Sequence, residues 1–147
     1  MEREQDLLQQ TLRMARAGRK FFAAVTPSIN DAEVRGAFEY ICEVKARLVG
    51  DLERLVSAPA DDTAEEHVSA AVSLEKTYAT LEKTFRNEPP AASARLLALG
   101  EEQLLRAVER SFEAARHATL KELLKTYYPQ LVICREAMAR LRSRQAA

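Results

Sequence analysis

The stretch from Ser93 to Arg116 reads SARLLALGEEQLLRAVERSFEAAR and decides what kind of fold this chain adopts. Apolar side chains recur in it at steps of three and four residues, the spacing of one face of an α-helix. The members of this stripe are Ala94, Leu97, Leu104, Val108, Phe112 and Ala115. Glu101 falls inside the stripe. A carboxylate directed at a helical core has to be paired, protonated or bound to a metal, because burying it alone is costly.

Four other segments repeat this apolar spacing and therefore predict four more helices. They run from about Arg3 to Val25, Asp31 to Val56, Thr63 to Arg86 and Leu120 to Arg142. No stretch alternates apolar and polar residues as a half-buried strand would. We expect residues 1–147 to form a single all-α domain, an antiparallel helical bundle. The third helix either joins this bundle or carries the crossover between its halves.

Capping and proline signals indicate where several helices begin or bend. Three residue pairs match the capping box, in which a side chain at the helix start and a glutamate three residues later bond each other's backbone N–H groups. The pairs are Asn30 with Glu33, Thr63 with Glu66, and Thr119 with Glu122. Pro129 cannot donate to the carbonyl of Lys125, but the apolar period continues past it. This favours a kink over a helix end.

Charged residues also interrupt the apolar stripes of other helices. The stripe of the first helix is Leu8, Leu12, Ala15 and Phe22, and its missing member is Arg19. Lys45 takes the equivalent place in the second helix, and Arg135 lies at the edge of the stripe in the last one. Each side chain either reaches out to solvent along a helix boundary or joins an internal ion-pair cluster around Glu101. We favour the cluster and expect Glu101 to hold Arg19 or Lys45.

Composition and charge argue against several classes of partner and location. Lys plus Arg equals Asp plus Glu at 22 each, which removes the electrostatic case for nucleic acid or an anionic membrane surface as main partner. No apolar run approaches the roughly 20 residues that span a bilayer. The charged N-terminus does not resemble a signal peptide, so we expect a cytoplasmic protein. Cys42 and Cys134 are predicted to be reduced, buried thiols, with a redox pair across two helices as the alternative.

Four short motifs resemble a bacterial ferritin-like domain family of unassigned function. They are AGRKFF at residues 17–22, the segment from Phe38 to Leu52, LGEE at 99–102 and EAMARL at 136–141. The resemblance extends over nearly the whole chain. It implies a ferritin-like four-helix bundle with one additional helix between the second and third core helices.

The resemblance also places the positions at which ferritin-like di-iron proteins carry Glu, Glu-x-x-His, Glu and Glu-x-x-His. The corresponding residues here are Arg19, Lys45 with Leu48, Glu101, and Arg135 with Met138. Three carboxylates are replaced by basic side chains and both histidines by apolar ones. Cations at these positions repel a metal. We therefore expect no metal centre and no cofactor, and we expect the basic residues to compete for Glu101. His67 and His117 are predicted to be surface or capping residues.

The sequence contains no phosphate-binding loop, Cys-x-x-Cys motif or Ser/His/Asp signature. Two functional hypotheses remain. In the first, the chain is a metal-free bundle that acts as a structural or protein-interaction module, a homodimer through a helix face. Leu7, Met14 and Phe21 form a second apolar stripe on the first helix, and a doubly apolar helix needs a partner for its other face. In the alternative, the protein is a di-iron or other metal-binding oxidase or iron-handling protein whose ligands occupy other positions.

Overall fold

The computed structural model describes the backbone of residues 2–56 and 65–146, and the side chains of 3–56 and 70–141. Five α-helices make up most of it: α1 (Glu2–Val25), α2 (Ala32–Leu55), α3 (Glu65–Thr84), α4 (Ala94–Ala114) and α5 (Ala118–Ala146). Short 3-10 turns precede α2 and α4, at Thr26–Ser28 and Pro90–Ser93. The residues described contain no strand, which confirms the all-α class.

The helix ends differ in detail from the capping pattern. Asp31, not Asn30, is the N-cap of α2, because its carboxylate accepts hydrogen bonds from the backbone N–H groups of Glu33 and Val34 at 2.9 and 3.2 Å. An ionised cap also complements the positive end of the helix dipole. α5 begins at Ala118, so the predicted cap at Thr119 is wrong as well. The predicted cap at Thr63 lies outside the described residues.

α5 continues without interruption through Pro129, as the unbroken apolar period of this segment predicts. The helix extends for 29 residues, from Ala118 to Ala146. Its buried side chains include Leu124, Leu131 and Met138, which lie on both sides of the proline. The apolar stripe stays buried on both sides of Pro129. The helix therefore continues, although Pro129 cannot donate a backbone hydrogen bond.

Four helices pack in a closed ring in which α1 and α5 each contact both α2 and α4. α1 and α2 are antiparallel, since Arg16 pairs with Glu53 while the Cys42 thiol reaches the carbonyl of Arg19. Two cross-helix hydrogen bonds for each of the other three contacts show that these are antiparallel too: Glu4–Arg116 with Thr11–Ser111, Arg47–Gln130 with Tyr127–Asp51, and Arg135–Glu102 with Tyr128–Glu109. α2 and α4 therefore run in the same direction at opposite corners of the ring.

α3 lies outside this ring, beside α1 and parallel to it. Arg13 of α1 pairs with Glu75, and the ring of Phe21 contacts Phe85, the residue after α3. Because α2 and α4 point the same way, α3 is the segment that carries the chain back between them. The sequence leaves open whether the third helix joins the bundle or carries the crossover. In the structure α3 is the crossover, and it also packs on the ring.

The second apolar stripe of α1 is buried within the chain. Leu7, Met14 and Phe21 are 6%, 2% and 1% exposed. Phe21 stacks on Tyr78 of α3 with ring centroids 4.9 Å apart. The prediction that this face is left for a second copy of the chain is wrong, because the sequence pattern of α1 does not reveal that α3 folds back over it.

Among the described residues, no helix is both long and apolar enough to cross a membrane.

Candidate functional site

Lys45 and Glu101 form an ion pair in the middle of the helical ring. Lys45 lies on α2 and Glu101 on α4, and their side chains meet across the ring. Lys45 Nζ donates to Glu101 Oε1 at 2.7 Å, and each side chain is only 1% exposed. The pairing predicted from the sequence is confirmed. Removing one partner of such a pair costs about 3–5 kcal/mol, since the other charge is left buried and alone.

The Lys45 side chain lies against the backbone of α1 at Gly18. A Cβ atom at Gly18 would be 2.7 and 2.8 Å from Lys45 Cδ and Cε, closer than carbon atoms approach without repulsion. Beyond this contact, Nζ lies 5.7 Å from the centre of the Phe22 ring, within reach of a cation–π interaction. The absence of a Cβ atom at Gly18 therefore leaves the space through which the Lys45 side chain reaches Glu101.

Tyr78 brings a hydroxyl group from α3 to the same place. A Cβ atom at Gly100 would be 3.0 Å from Tyr78 Oη, so this hydroxyl passes directly over α4 next to Glu101. Burial raises the pKa of Tyr78 well above its ordinary value, and the neighbouring Glu101 carboxylate raises it further. The phenol therefore stays protonated. Glu101 Oε2 is buried and makes no hydrogen bond with any described residue.

A thiol completes the surroundings of the ion pair. Cys134 of α5 is fully buried, and burial raises the pKa of this thiol to about 12. Lys45 opposes this rise and Glu101 adds to it, so both charges act on the sulfur. Cys42 is half-buried, and burial raises its pKa too. Both cysteines are free thiols, and neither is activated as a nucleophile.

Arg19 and Arg135 do not belong to this cluster, although the sequence predicts both in it. Arg19 is exposed, because the inward position of α1 falls on Gly18, one residue earlier. Steps of three then four residues from Ala15 reach Gly18 and Phe22, and a period of 3.6 allows this as well as the reverse order. Arg135 is 38% exposed and donates to Glu102 at 2.9 Å.

The two remaining ligand-equivalent positions are apolar core. Leu48 and Met138 are 0% and 1% exposed. His117 is exposed, with Nδ1 3.7 Å from a carboxylate oxygen of Glu4. The side chain of His67 lies outside the described residues. The sequence does not reveal the place of Tyr78 in the site, because no spacing rule shows that α3 approaches Glu101.

A second feature is an open groove of about 1130 Å³ on the outside of the ring. α1 forms its floor, α3 one wall and the last turn of α2 the other. Two cross-helix ion pairs lie along it, Arg13–Glu75 at 2.7 Å and Arg16–Glu53 at 2.6 Å. Tyr78 links the two features, because it lines the groove and also contacts the buried cluster.

No protein-family model, curated protein or solved structure matches this chain.

The donor set around Glu101 does not fit a di-iron centre. Such a centre needs several carboxylates and imidazoles to offset the charge of two cations. Here one carboxylate is neutralised by an ammonium group, and the other positions hold a thioether and an aliphatic chain. Within the described part of the chain, no group of three or more His, Cys, Asp or Glu side chains is placed to hold a metal ion. The described residues around Glu101 form a buried charge pair, and their donor set differs from that of a di-iron centre.

Proposed function

We propose that this protein is a metal-free, ferritin-like four-helix bundle with one additional helix, and that it serves as a protein-interaction module. The observation that carries the proposal is the ion pair between Lys45 and Glu101 in the core. An ammonium group is bound to one oxygen of the core carboxylate that a metal would use.

The directions of the helices support the ferritin-like part of the proposal. Ferritin-like bundles consist of two antiparallel helix pairs joined by one long crossover. In this chain α1 and α2 form the first pair, α4 and α5 the second, and α3 returns the chain between them. The additional helix has the place in the sequence that the resemblance implies.

The energetics of the core support the absence of metal. A divalent cation at Glu101 would displace Lys45 Nζ from the carboxylate and leave the ammonium buried among apolar side chains. An uncompensated buried charge costs several kcal/mol. One remaining carboxylate cannot offset that cost, because transition metals in such sites depend on several donors.

A homodimer and a cytoplasmic location stay predictions. The face of α1 on which the dimer was predicted is covered by α3, so a dimer would need another helix. Leu96 and Leu99 of α4, 43% and 51% exposed, are large apolar side chains available for such a contact.

Metal analysis of the purified protein tests the proposal. Cells are grown with added iron and manganese, and the metal content per chain is measured by mass spectrometry together with oxygen consumption. We expect far less than one metal ion per chain and no oxygen consumption. Glu101→Gln removes the core carboxylate, and Glu102→Gln, on the next and partly exposed residue, is the matched control.

A stoichiometric amount of iron or manganese that is lost in Glu101→Gln and retained in Glu102→Gln would contradict the proposal. It would support the metal-dependent oxidase or iron-handling alternative instead. The metal content of the wild-type protein alone decides whether the protein is metal-free. The test therefore holds even if Glu101→Gln folds poorly.

A further inference from the structure

The groove beside α1 is larger than a small-molecule site. Its volume of about 1130 Å³ exceeds the range of roughly 300–1,000 Å³ typical of small-ligand pockets. Its floor follows α1 from Gln9 to Phe21, which corresponds to about 18 Å at 1.5 Å per residue. That length matches about three turns of a second helix, or roughly 12 residues. The shape therefore fits a peptide segment.

The lining combines a few accessible small apolar side chains with an excess of positive charge. Ala17, Val56 and Ala79 contribute its accessible apolar surface, whereas Phe21 and Tyr78 are almost completely buried beneath it. Five basic and three acidic side chains surround this surface. Two of the basic ones, on α1, are already neutralised by the cross-helix ion pairs with Glu75 and Glu53.

The uncompensated charge is concentrated at one end of the groove. Lys20, Lys83 and Arg86 are exposed and make no ion pair with any residue that the structure describes. All three line the groove, on segments of α1 and the end of α3 that are held together by the contact between the rings of Phe21 and Phe85, with centroids 5.5 Å apart. Glu82 is the one acidic lining residue near this end.

We propose that the groove binds an acidic amphipathic helical segment of a partner protein. The apolar side of that segment packs on Ala17, Val56 and Ala79, and its carboxylates face Lys20, Lys83 and Arg86. Helix-in-groove recognition uses apolar anchors at steps of three and four residues, and complementary charge sets orientation and specificity. A basic segment would meet three unpaired cations at this end. The inference rests on the proposed role as an interaction module and names the chemistry of the partner.

A displayed library of random peptides of about 12 residues tests the proposal without a known partner. Purified full-length protein is the bait, at about 0.15 M ionic strength. The peptides enriched by the wild type should be net acidic with apolar residues at helical spacing. One enriched peptide, labelled with fluorescein, then gives dissociation constants by fluorescence anisotropy.

Two variants should weaken binding of that peptide by about tenfold or more, which corresponds to about 1.4 kcal/mol. Lys83→Glu/Arg86→Glu reverses the charge of the basic end, and Ala79→Trp fills the groove at an exposed lining position. The matched control Lys125→Glu/Arg140→Glu makes the same charge change at exposed positions of α5 and should leave the dissociation constant unchanged. Circular dichroism confirms that each variant is folded.

The proposal is overturned if no peptide is enriched, if the enriched peptides are basic or neutral, or if the control variant weakens binding as much as the groove variants. It is also overturned if a single-stranded DNA of matched charge displaces the peptide at equal concentration, since that indicates unspecific binding of polyanions. The metal content of the same preparation separates the two proposals. If the protein is metal-free and selects no acidic peptide, the peptide-binding inference is refuted, but the proposal of a metal-free bundle is not.

Discussion

At the scale of single residues, Gly18 and Lys45 depend on each other. The lysine reaches Glu101 only by lying against the α1 backbone, and any side chain at position 18 would collide with its Cδ and Cε atoms. Glycine lowers helix stability by about 1 kcal/mol relative to alanine. At position 18 this loss is offset by a contact that allows a buried ammonium and a buried carboxylate to meet.

Gly18→Ala should destabilise the wild-type protein by about 1–3 kcal/mol, because it overpacks the core against the lysine. In a Lys45→Ala/Glu101→Ala background the same change should be neutral or stabilise by up to about 1 kcal/mol, since the collision is gone and helix propensity remains. Urea denaturation of the four proteins measures both effects.

Gly36→Ala is the control for this comparison. Position 36 is exposed on α2 and a Cβ atom there would meet nothing within 4 Å, so alanine should stabilise both backgrounds by a similar amount. Equal effects of Gly18→Ala in the two backgrounds would show that Lys45 does not depend on the glycine.

At the scale of helices, a buried pair of hydroxyl groups sets the register between α1 and α4. Thr11 Oγ1 and Ser111 Oγ lie 2.8 Å apart, and both residues are almost completely buried. Thr11 Oγ1 is also within hydrogen-bonding distance of the carbonyls of Leu7 and Ala107, at 2.9 and 3.2 Å. Sliding one helix along the other would leave these groups without cross-helix partners, and an unsatisfied buried polar group costs about 1–3 kcal/mol.

Thr11→Val should therefore lower the free energy of unfolding by about 1–3 kcal/mol. The double variant Thr11→Val/Ser111→Ala should lose less than the sum of the two single variants, by at least about 0.5 kcal/mol. A double-mutant cycle from chemical denaturation measures this coupling energy. Thr126→Val is the control, because Thr126 is exposed on α5 and its hydroxyl donates to the Glu122 carbonyl in its own helix. Additive effects of the two substitutions would exclude the register role.

At the scale of the whole molecule, burial keeps protons on groups that lose them in the unfolded chain at alkaline pH. The pKa of Cys134 rises from 9.0 to about 12 and that of Tyr127 from 10.0 to about 12. Burial is the first cause for both, and Tyr127 also donates to Asp51. Between these values the native state holds more protons than the unfolded state. The stability contributed by these groups is therefore present below the unfolded pKa and is lost as pH rises through the folded one.

The free energy of unfolding should fall above about pH 9, with a slope of about 1.4 kcal/mol per pH unit for each proton retained. Cys134→Ala should show a shallower fall over this range than the wild type, whatever its stability at neutral pH. Denaturation at a series of pH values measures the slopes. Cys42→Ala, at a half-buried thiol, should change the slope less. An identical slope for Cys134→Ala and the wild type would refute the assignment.

The sequence by itself determined the all-α class and the approximate extent of each helix. Apolar spacing and prolines act within a few residues, so they can be interpreted without knowledge of the tertiary structure, whereas the cap of α2 falls on Asp31 and not on the expected Asn30. It also identified Lys45 and Glu101, because a charge in the centre of a wide apolar stripe has few alternatives to pairing with another. It did not determine whether Gly18 or Arg19 faces the core, since both positions satisfy a period of 3.6 residues.

Only the tertiary structure decided which surfaces meet. α3 covers the second apolar face of α1 and carries Tyr78 to Glu101, while Arg135 turns to Glu102 at the edge of the ring. These outcomes depend on the direction in which α3 crosses the bundle and on the depth at which each side chain leaves its helix. These particular contacts between residues distant in the chain follow from the packing of all five helices together, and no local pattern encodes them.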